Sequence, residues 1–263
     1  MGVPEAVEKI IRESGNNFHA KVARWLVDNG WLIRVSPYYM DQEQSKAREI
    51  DLVAEKASTI PNRFGPASEE LVVRLFVECK FIPAPAVFWM GDKDMLAAER
   101  LVCRQGGGFR PHNSYTARHH YLSQGKRVAK LFATARTPEQ DPFYKALNQV
   151  LNAQASMLWQ PPAVLSDCAN RSGALMNYPV IVCSSFSEVY AADFTGDEEP
   201  HSMGSNFQLE VQYAYTDRKG NSQDDYFLID VVDFNQLSEF SEALESDAKA
   251  ARSLLSPKVY PSG

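Results

Sequence analysis

The chain has 263 residues, a formal net charge of −6, 44% apolar residues and 23% charged ones, the make-up of an ordinary globular protein, long for one domain and short for two. No apolar run approaches the roughly eighteen residues of a membrane helix, and the start, with Glu5 and Glu8 and no apolar h-region, argues against a secretory signal. Four scattered cysteines (Cys79, Cys103, Cys168, Cys183) argue against a disulfide framework or a CxxC zinc site and fit a reducing cytoplasm.

In chain order, residues 3–13 carry an amphipathic helix pattern. Asn16 or Asn17 can cap a second helix over 17–29, with Phe18, Val22, Trp25 and Leu26 at helical spacing, and Gly30 stands where it should stop. Trp31 to Val35 reads as a strand. Glu49 to Glu55 reads as another, with Ile50, Leu52 and Ala54 on one face and Glu49, Asp51, Val53 and Glu55 on the other. The Pro/Asn/Gly/Ser-rich stretch from Thr59 to Ser68 is a loop.

Leu71 to Lys80 forms a third strand, with Leu71, Val73, Leu75, Val77 and Cys79 as a wholly apolar face and Val72, Arg74, Phe76, Glu78 and Lys80 opposite. Pro83 and Pro85 then forbid continued central pairing. Phe88 and Trp89 read as packing residues first and base-stacking residues second. Gly106 to Gly108 is a flexible joint without the lysine of a P-loop. Pro138 to Leu158 is a helix with Phe143, Leu147, Val150, Gln154 and Leu158 along one stripe. An apolar strand over 178–184, strands near 187–194, 207–215 and 226–232, and a closing helix carrying Phe234, Leu237, Phe240 and Leu244 complete the pattern. One compact domain over 1–263 is expected.

Charge is unevenly spread. Residues 100–136 hold eight Lys/Arg and no Asp/Glu, while residues 193–263 hold five against fourteen. The basic window could contact a polyanion, with Arg104, Arg110, Arg118, Lys126, Arg127 and Lys130 as phosphate contacts. It reads equally as a solvated face balanced by the acidic C-terminus. That C-terminus is expected on the far side of the sheet, at a protein interface, or screening the window. His112, His119, His120 and Cys103 lack zinc-ligand spacing.

The chemistry-bearing constellation is Asp51, Glu78 and Lys80. Residues two apart on a strand share a face, so Glu78 and Lys80 point together, and Asp51 lies on the polar face of a strand expected to neighbour theirs. Two adjacent carboxylates repel, and a divalent cation relieves this. Oxygen ligands favour Mg²⁺ or Mn²⁺ over zinc.

This arrangement resembles the PD-(D/E)xK, restriction-endonuclease-like nuclease superfamily. The residues carrying it are Ile50-Asp51 at the end of a hairpin and Val77-Glu78-Cys79-Lys80, set in the order helix, three strands, helix, strand. The resemblance implies an α/β fold with a central mixed β-sheet flanked by helices. The nuclease core would cover about 14–186, and a β-rich and helical acidic elaboration would follow over 187–255. It implies Asp51 and Glu78 as metal ligands, Lys80 as catalytic lysine, and Mg²⁺ or Mn²⁺ as cofactor. The activity would be endonucleolytic hydrolysis of phosphodiester bonds, in DNA first, within a bacterial defence or mobile-element system and with partner subunits or a homo-oligomer. A non-cutting nuclease-fold binding subunit and an RNA-cleaving enzyme are the alternatives. Where relatives place a first-helix glutamate, this chain has Asn17-Phe18-His19-Ala20. His19 is therefore an auxiliary candidate, as is Gln154 for the later helix's glutamine, though both read more readily as packed, hydrogen-bonded residues.

Overall fold

The computed structural model describes residues 4–13, 15–41, 45–59, 70–104, 116–135, 141–158, 160–165, 173–196, 199–217 and 220–255. Two helices, α1 (Glu5–Glu13) and α2 (Asn16–Asp28), precede β1 (Leu32–Val35), the short pair β2 (Tyr38–Asp41) and β3 (Lys46–Glu49), then β4 (Leu52–Thr59) and β5 (Glu70–Lys80). Next come β6 (Ala86–Asp92), α3 (Met95–Arg104), α4 (His120–Ser123), β7 (Arg127–Thr134), α5 (Pro142–Met157) and β8 (Gly173–Cys183). The described chain closes with β9 (Val189–Asp193), β10 (His201–Ser202), β11 (Phe207–Thr216), β12 (Ser222–Asp233) and α6 (Leu237–Leu255).

Ten strands form one mixed sheet in the order β1-β4-β5-β8-β12-β11-β7-β6-β9-β10, and β2 and β3 pair separately. The pairings of β1 with β4 and β4 with β5 are antiparallel, and β5 with β8 and β8 with β12 parallel. An apolar layer lies on each side, as expected of a sheet buried on both faces. Val22 and Leu26 of α2, Ala98 and Leu101 of α3, and Phe240 and Leu244 of α6 pack with Leu52, Leu75 and Val77. Phe143, Val150 and Leu151 of α5, with Tyr39 of β2, pack against Val53, Phe76 and Ile181 on the other side. The large mixed central sheet flanked by helices is thus the observed architecture.

Several expectations are corrected. Glu49 to Glu55 is not one strand. β3 ends at Glu49 and β4 begins at Leu52, because Ile50 and Asp51 bond backbone-to-backbone with Pro37 and Ser36 (Ile50 N to Pro37 O 3.2 Å, Ser36 N to Asp51 O 2.8 Å). Ile50 consequently packs with Val53 in the α5 layer, not with Leu52 and Ala54. Neither Asn16 nor Asn17 caps α2. Gly15, at φ +71°, takes the N-cap position, and the Asn17 side chain donates to the Ile11 carbonyl. As expected, pairing stops before Pro83 and Pro85, with β5 ending at Lys80; an unforeseen strand, β6, then joins the main sheet between β7 and β9. The acidic C-terminal strands do not lie on the sheet's far side, since β12 sits within it between β8 and β11. Gly106 to Gly108, Arg110, His112, Cys168 and most of the Thr59–Ser68 loop lie outside the described residues.

One buried ion pair ties β4 and β5 to the end of α5 on one face of the sheet. Arg74, wholly buried, reaches Glu55 (Nε to Oε1 2.7 Å) and donates to the carbonyls of Met157, the last residue of α5, and of Gln160 just past it. Glu55 in turn accepts from the backbone N–H of Val164 at 3.0 Å. Removing one partner of such a pair strands the other charge and costs about 3–5 kcal/mol. Arg74→Ala is therefore expected to lower unfolding free energy by that amount in urea titrations. A loss under about 1 kcal/mol would show the pair to be dispensable.

Candidate active site

Strand pairing brings the constellation together. Leu52 faces Val77 across the antiparallel β4/β5 ladder, so the next residues along, Asp51 and Glu78, stand opposite each other at the strand ends. Alternation places Glu78 and Lys80 on the same side as Phe76, toward the α5 layer. The Asp51 carboxylate accepts the backbone N–H of Cys79 (Oδ2, 2.7 Å), and the Asp51 N–H approaches Glu78 Oε1 at 3.3 Å. Lys80 Nζ sits 2.7 Å from Glu78 Oε2. The three predicted residues therefore share one hydrogen-bonded cluster.

Its electrostatics are set by burial. The Glu78 side chain is 0% exposed and that of Lys80 19%. Burial pushes the Glu78 carboxyl up to about 7; Lys80 works against this and Asp51 adds to it. Burial also disfavours the Lys80 ammonium, but Glu78 and Asp51 outweigh it, and its pKa lies above the ordinary lysine value. Among the described residues no three His, Cys, Asp or Glu side chains gather as a self-sufficient metal cage. Two opposed carboxylates still suit Mg²⁺, which binds through one or two carboxylates and completes its shell with water and substrate oxygens. Asp51 uses one oxygen on Cys79, whereas Glu78 has Oε1 on the Asp51 N–H and Oε2 on Lys80, so a cation would share the Glu78 oxygens with these donors.

The auxiliary candidates are placed differently. His19 is half-buried on α2, in the layer across the sheet from α5, with its Nε2 unpartnered and no recorded bond to the cluster. Gln154 is buried on α5 with Oε1 unpartnered, also with no recorded bond to Asp51, Glu78 or Lys80. Gln149 does reach the site's frame, donating to the Glu49 carbonyl at 3.3 Å, two residues before Asp51. Sequence reasoning missed Tyr39. It is buried under the β2/β3 hairpin, its hydroxyl donates to the Gln149 carbonyl at 3.4 Å, and burial, with the Glu78 charge contributing, pushes its pKa up. The alternation Tyr38-Tyr39-Met40-Asp41 was its only sequence signal.

The basic window meets the acidic C-terminal strands. Arg104 pairs with Asp225, Arg127 with Asp193, and Lys130 with Glu210 at 2.7 Å. Lys126 and Arg118 are exposed. Arg127 lies on β7, four strand spacings from β5, roughly 20 Å along the sheet. Phe88 is a core residue against Phe132, Phe143 and Phe207. His119 and His120 belong to a buried network in the layer opposite the Asp51 cluster. There His120 Nε2 contacts Asp230 at 2.8 Å, and the His120 N–H and Tyr178 hydroxyl both donate to Asp247 (2.9 and 2.6 Å). This joins α4, α6, β8 and β12, which the sequence spacing gave no way to see.

Glu78 makes stability depend on pH. Its folded pKa exceeds the ordinary 4.5, so its contribution is fully present below about 4.5 and lost as pH rises through about 7, by at most about 3 kcal/mol. Glu78→Gln is expected to flatten the stability profile over that interval in urea melts, and an unaltered slope would show that the carboxylate titrates normally. Comparison of the chain with protein-family models, with curated proteins and with solved structures finds no match.

Proposed function

We propose that the chain is a Mg²⁺-dependent endonuclease with a restriction-endonuclease-like core, hydrolysing phosphodiester bonds of DNA. The carrying observation is the convergence of Asp51, Glu78 and Lys80 through the contacts at 2.7–3.3 Å described above. Strand order supports it. The strands β1, β4, β5 and β8 are neighbours in one mixed sheet with α2 and α5 on opposite faces, consistent with the mixed sheet flanked by helices that the resemblance implies.

In this reading Asp51 and Glu78 hold the ion, and their close opposition supplies the negative potential that attracts it. When bound, the ion polarises a phosphoryl oxygen and acidifies its water. Lys80, held by Glu78, stabilises charge developing on the phosphate or orients the attacking water. The Asp51–Cys79 N–H bond fixes one carboxylate in place before substrate arrives, which limits reorganisation during reaction.

A second reading, a nuclease-fold subunit that binds without cutting, draws on one observation: Glu78 is sealed from solvent and closed by Lys80. Cleavage of a plasmid with Mg²⁺ separates the two. Wild type is expected to cut, EDTA to stop cutting, and Lys80→Ala to slow it by at least about 100-fold. Equal cleavage by wild type and Lys80→Ala would overturn the assignment, and no cleavage with Mg²⁺ or Mn²⁺ would favour the second reading.

A further inference from the structure

A second polar cluster lies across the sheet from Asp51, Glu78 and Lys80. Gln208 and Asp230 are direct partners in the antiparallel β11/β12 ladder. Their neighbours Leu209, Ile229 and Val231 pack in the α5 layer, so strand alternation turns Gln208 and Asp230 to the opposite face, toward α6. Gln208 Nε2 donates to Asp230 Oδ1 at 3.1 Å, and His120 Nε2 lies 2.8 Å from the same oxygen. All three residues are buried, with Gln208 at 6%, Asp230 at 3% and His120 at 6% exposure. They line a cavity of about 380 Å³ to which α6 contributes Glu239, Phe240 and Ala243.

These hydrogen bonds decide what a ligand would meet. An ionised carboxylate only accepts, so the Gln208 amide turns its nitrogen to Asp230 and keeps its carbonyl oxygen as an acceptor. That oxygen makes no recorded bond among the described residues. Positive charge at the cavity is already matched. Burial works against the His120 imidazolium, but Asp230 outweighs it, and the His120 pKa lies above the usual histidine value; the pair is neutral as a whole. Arg127 also lines the cavity, and it is engaged by Asp193 and by the Met90 carbonyl at 2.6 Å. Glu239, exposed in the first turn of α6, has no recorded ion-pair partner among the described residues. The unmatched charge is therefore negative. Apolar walls come from Met90, Met203, Phe207 and Phe240. A concave site with apolar walls, a few placed polar groups and a titratable pair is the usual make-up of a small-molecule pocket. A buried acceptor and an unmatched carboxylate call for a ligand that donates hydrogen bonds and carries positive charge.

We propose that this cavity binds a small organic amine, whose ammonium donates to Gln208 Oε1 and is drawn by the Glu239 carboxylate while its apolar body packs against Met90, Met203, Phe207 and Phe240. Asp230 acts behind Gln208. It holds the amide in the orientation that presents the oxygen, and His120 holds Asp230 in turn. The site is separate from the Asp51, Glu78 and Lys80 cluster and does not rest on the nuclease reading. An anionic ligand would meet Glu239 and the Gln208 oxygen with no unmatched cation to receive it.

The test titrates the full chain at neutral pH, by calorimetry, with three probes that share one body and differ in charge: phenethylamine, 2-phenylethanol and 3-phenylpropionate. Wild type is expected to bind the amine at least about tenfold more tightly than the alcohol, since a hydrogen bond from a charged donor is the stronger kind. The carboxylate should bind weakest of the three. Gln208→Met keeps the side chain's length and removes the acceptor, and it should weaken amine binding by about tenfold or more. Glu239→Gln should weaken it by about two- to fivefold, the range of an exposed charge pair. Neither substitution should change binding of the alcohol by as much. Thermal melts of both variants check that they fold. Glu239 is exposed, so Glu239→Gln decides alone if Gln208→Met does not fold. Failure of the amine to bind, equal binding of amine and alcohol, tightest binding of the carboxylate, or amine binding that both substitutions leave unchanged would overturn the proposal.

Discussion

The burial of one carboxylate, Glu78, governs the end of the sheet where the candidate chemistry lies. The strand carrying it is covered on both faces along nearly its whole length, so its last polar residues emerge from an apolar slab. A carboxyl there resists ionisation, and Lys80 and the Asp51 backbone are the groups placed to moderate this. Charge that is costly to keep in isolation is charge that a cation relieves, and burial that disfavours a lone carboxylate would, on the proposed reading, strengthen the cluster's hold on an ion. Positioning comes from the backbone rather than from long flexible side chains: the β4/β5 register sets the two acids opposite each other, and the kink at Ile50-Asp51 turns Asp51 toward Cys79.

Charge elsewhere is organised to cancel. A window with eight cations and no anions and a tail with fourteen anions would separately be a polycation and a polyanion. Folded, they interdigitate: β7 lies beside β11, α3 packs near β12, and cations of the window pair with acids of the tail. These are mostly half-exposed pairs, each worth no more than about 1 kcal/mol. Their larger consequence is electrostatic: the charges of Arg104, Arg127 and Lys130 are offset by acids of the tail rather than left to act alone.

Much of the fold was legible because the relevant signals are local. The faces of β5 followed from strict alternation, α5 from its apolar stripe, and the stop of α2 from Gly30. The adjacency of Asp51 to Glu78 was legible as well, since hairpin-linked strands tend to pair and strand alternation settles the face. What escaped reading was set by distant partners. Ile50 changes layer because residues 36 and 37 claim its backbone. β6 and β7 look unremarkable in sequence and become strands only because β9 and β11 pair with them. His120 looked like part of a basic stretch, and only the fold supplies Asp230 and Asp247 from more than a hundred residues away. The place of β12 was hidden for the same reason, since no local pattern says which strand a late segment will join.

That place has a consequence for how the molecule comes into being. β12 is the last strand among the described residues, yet it is flanked by β8 on one side and β11 on the other. Until residues 222–233 have left the ribosome, β8 has an open flank, and the half of the sheet holding β11, β7, β6 and β9 has nothing to join. Assembly of the sheet therefore waits on residues 222–233, as it does for topologies dominated by distant pairings. A polypeptide cut short before this strand would be left with two sticky, unpaired margins of the kind that invite self-association.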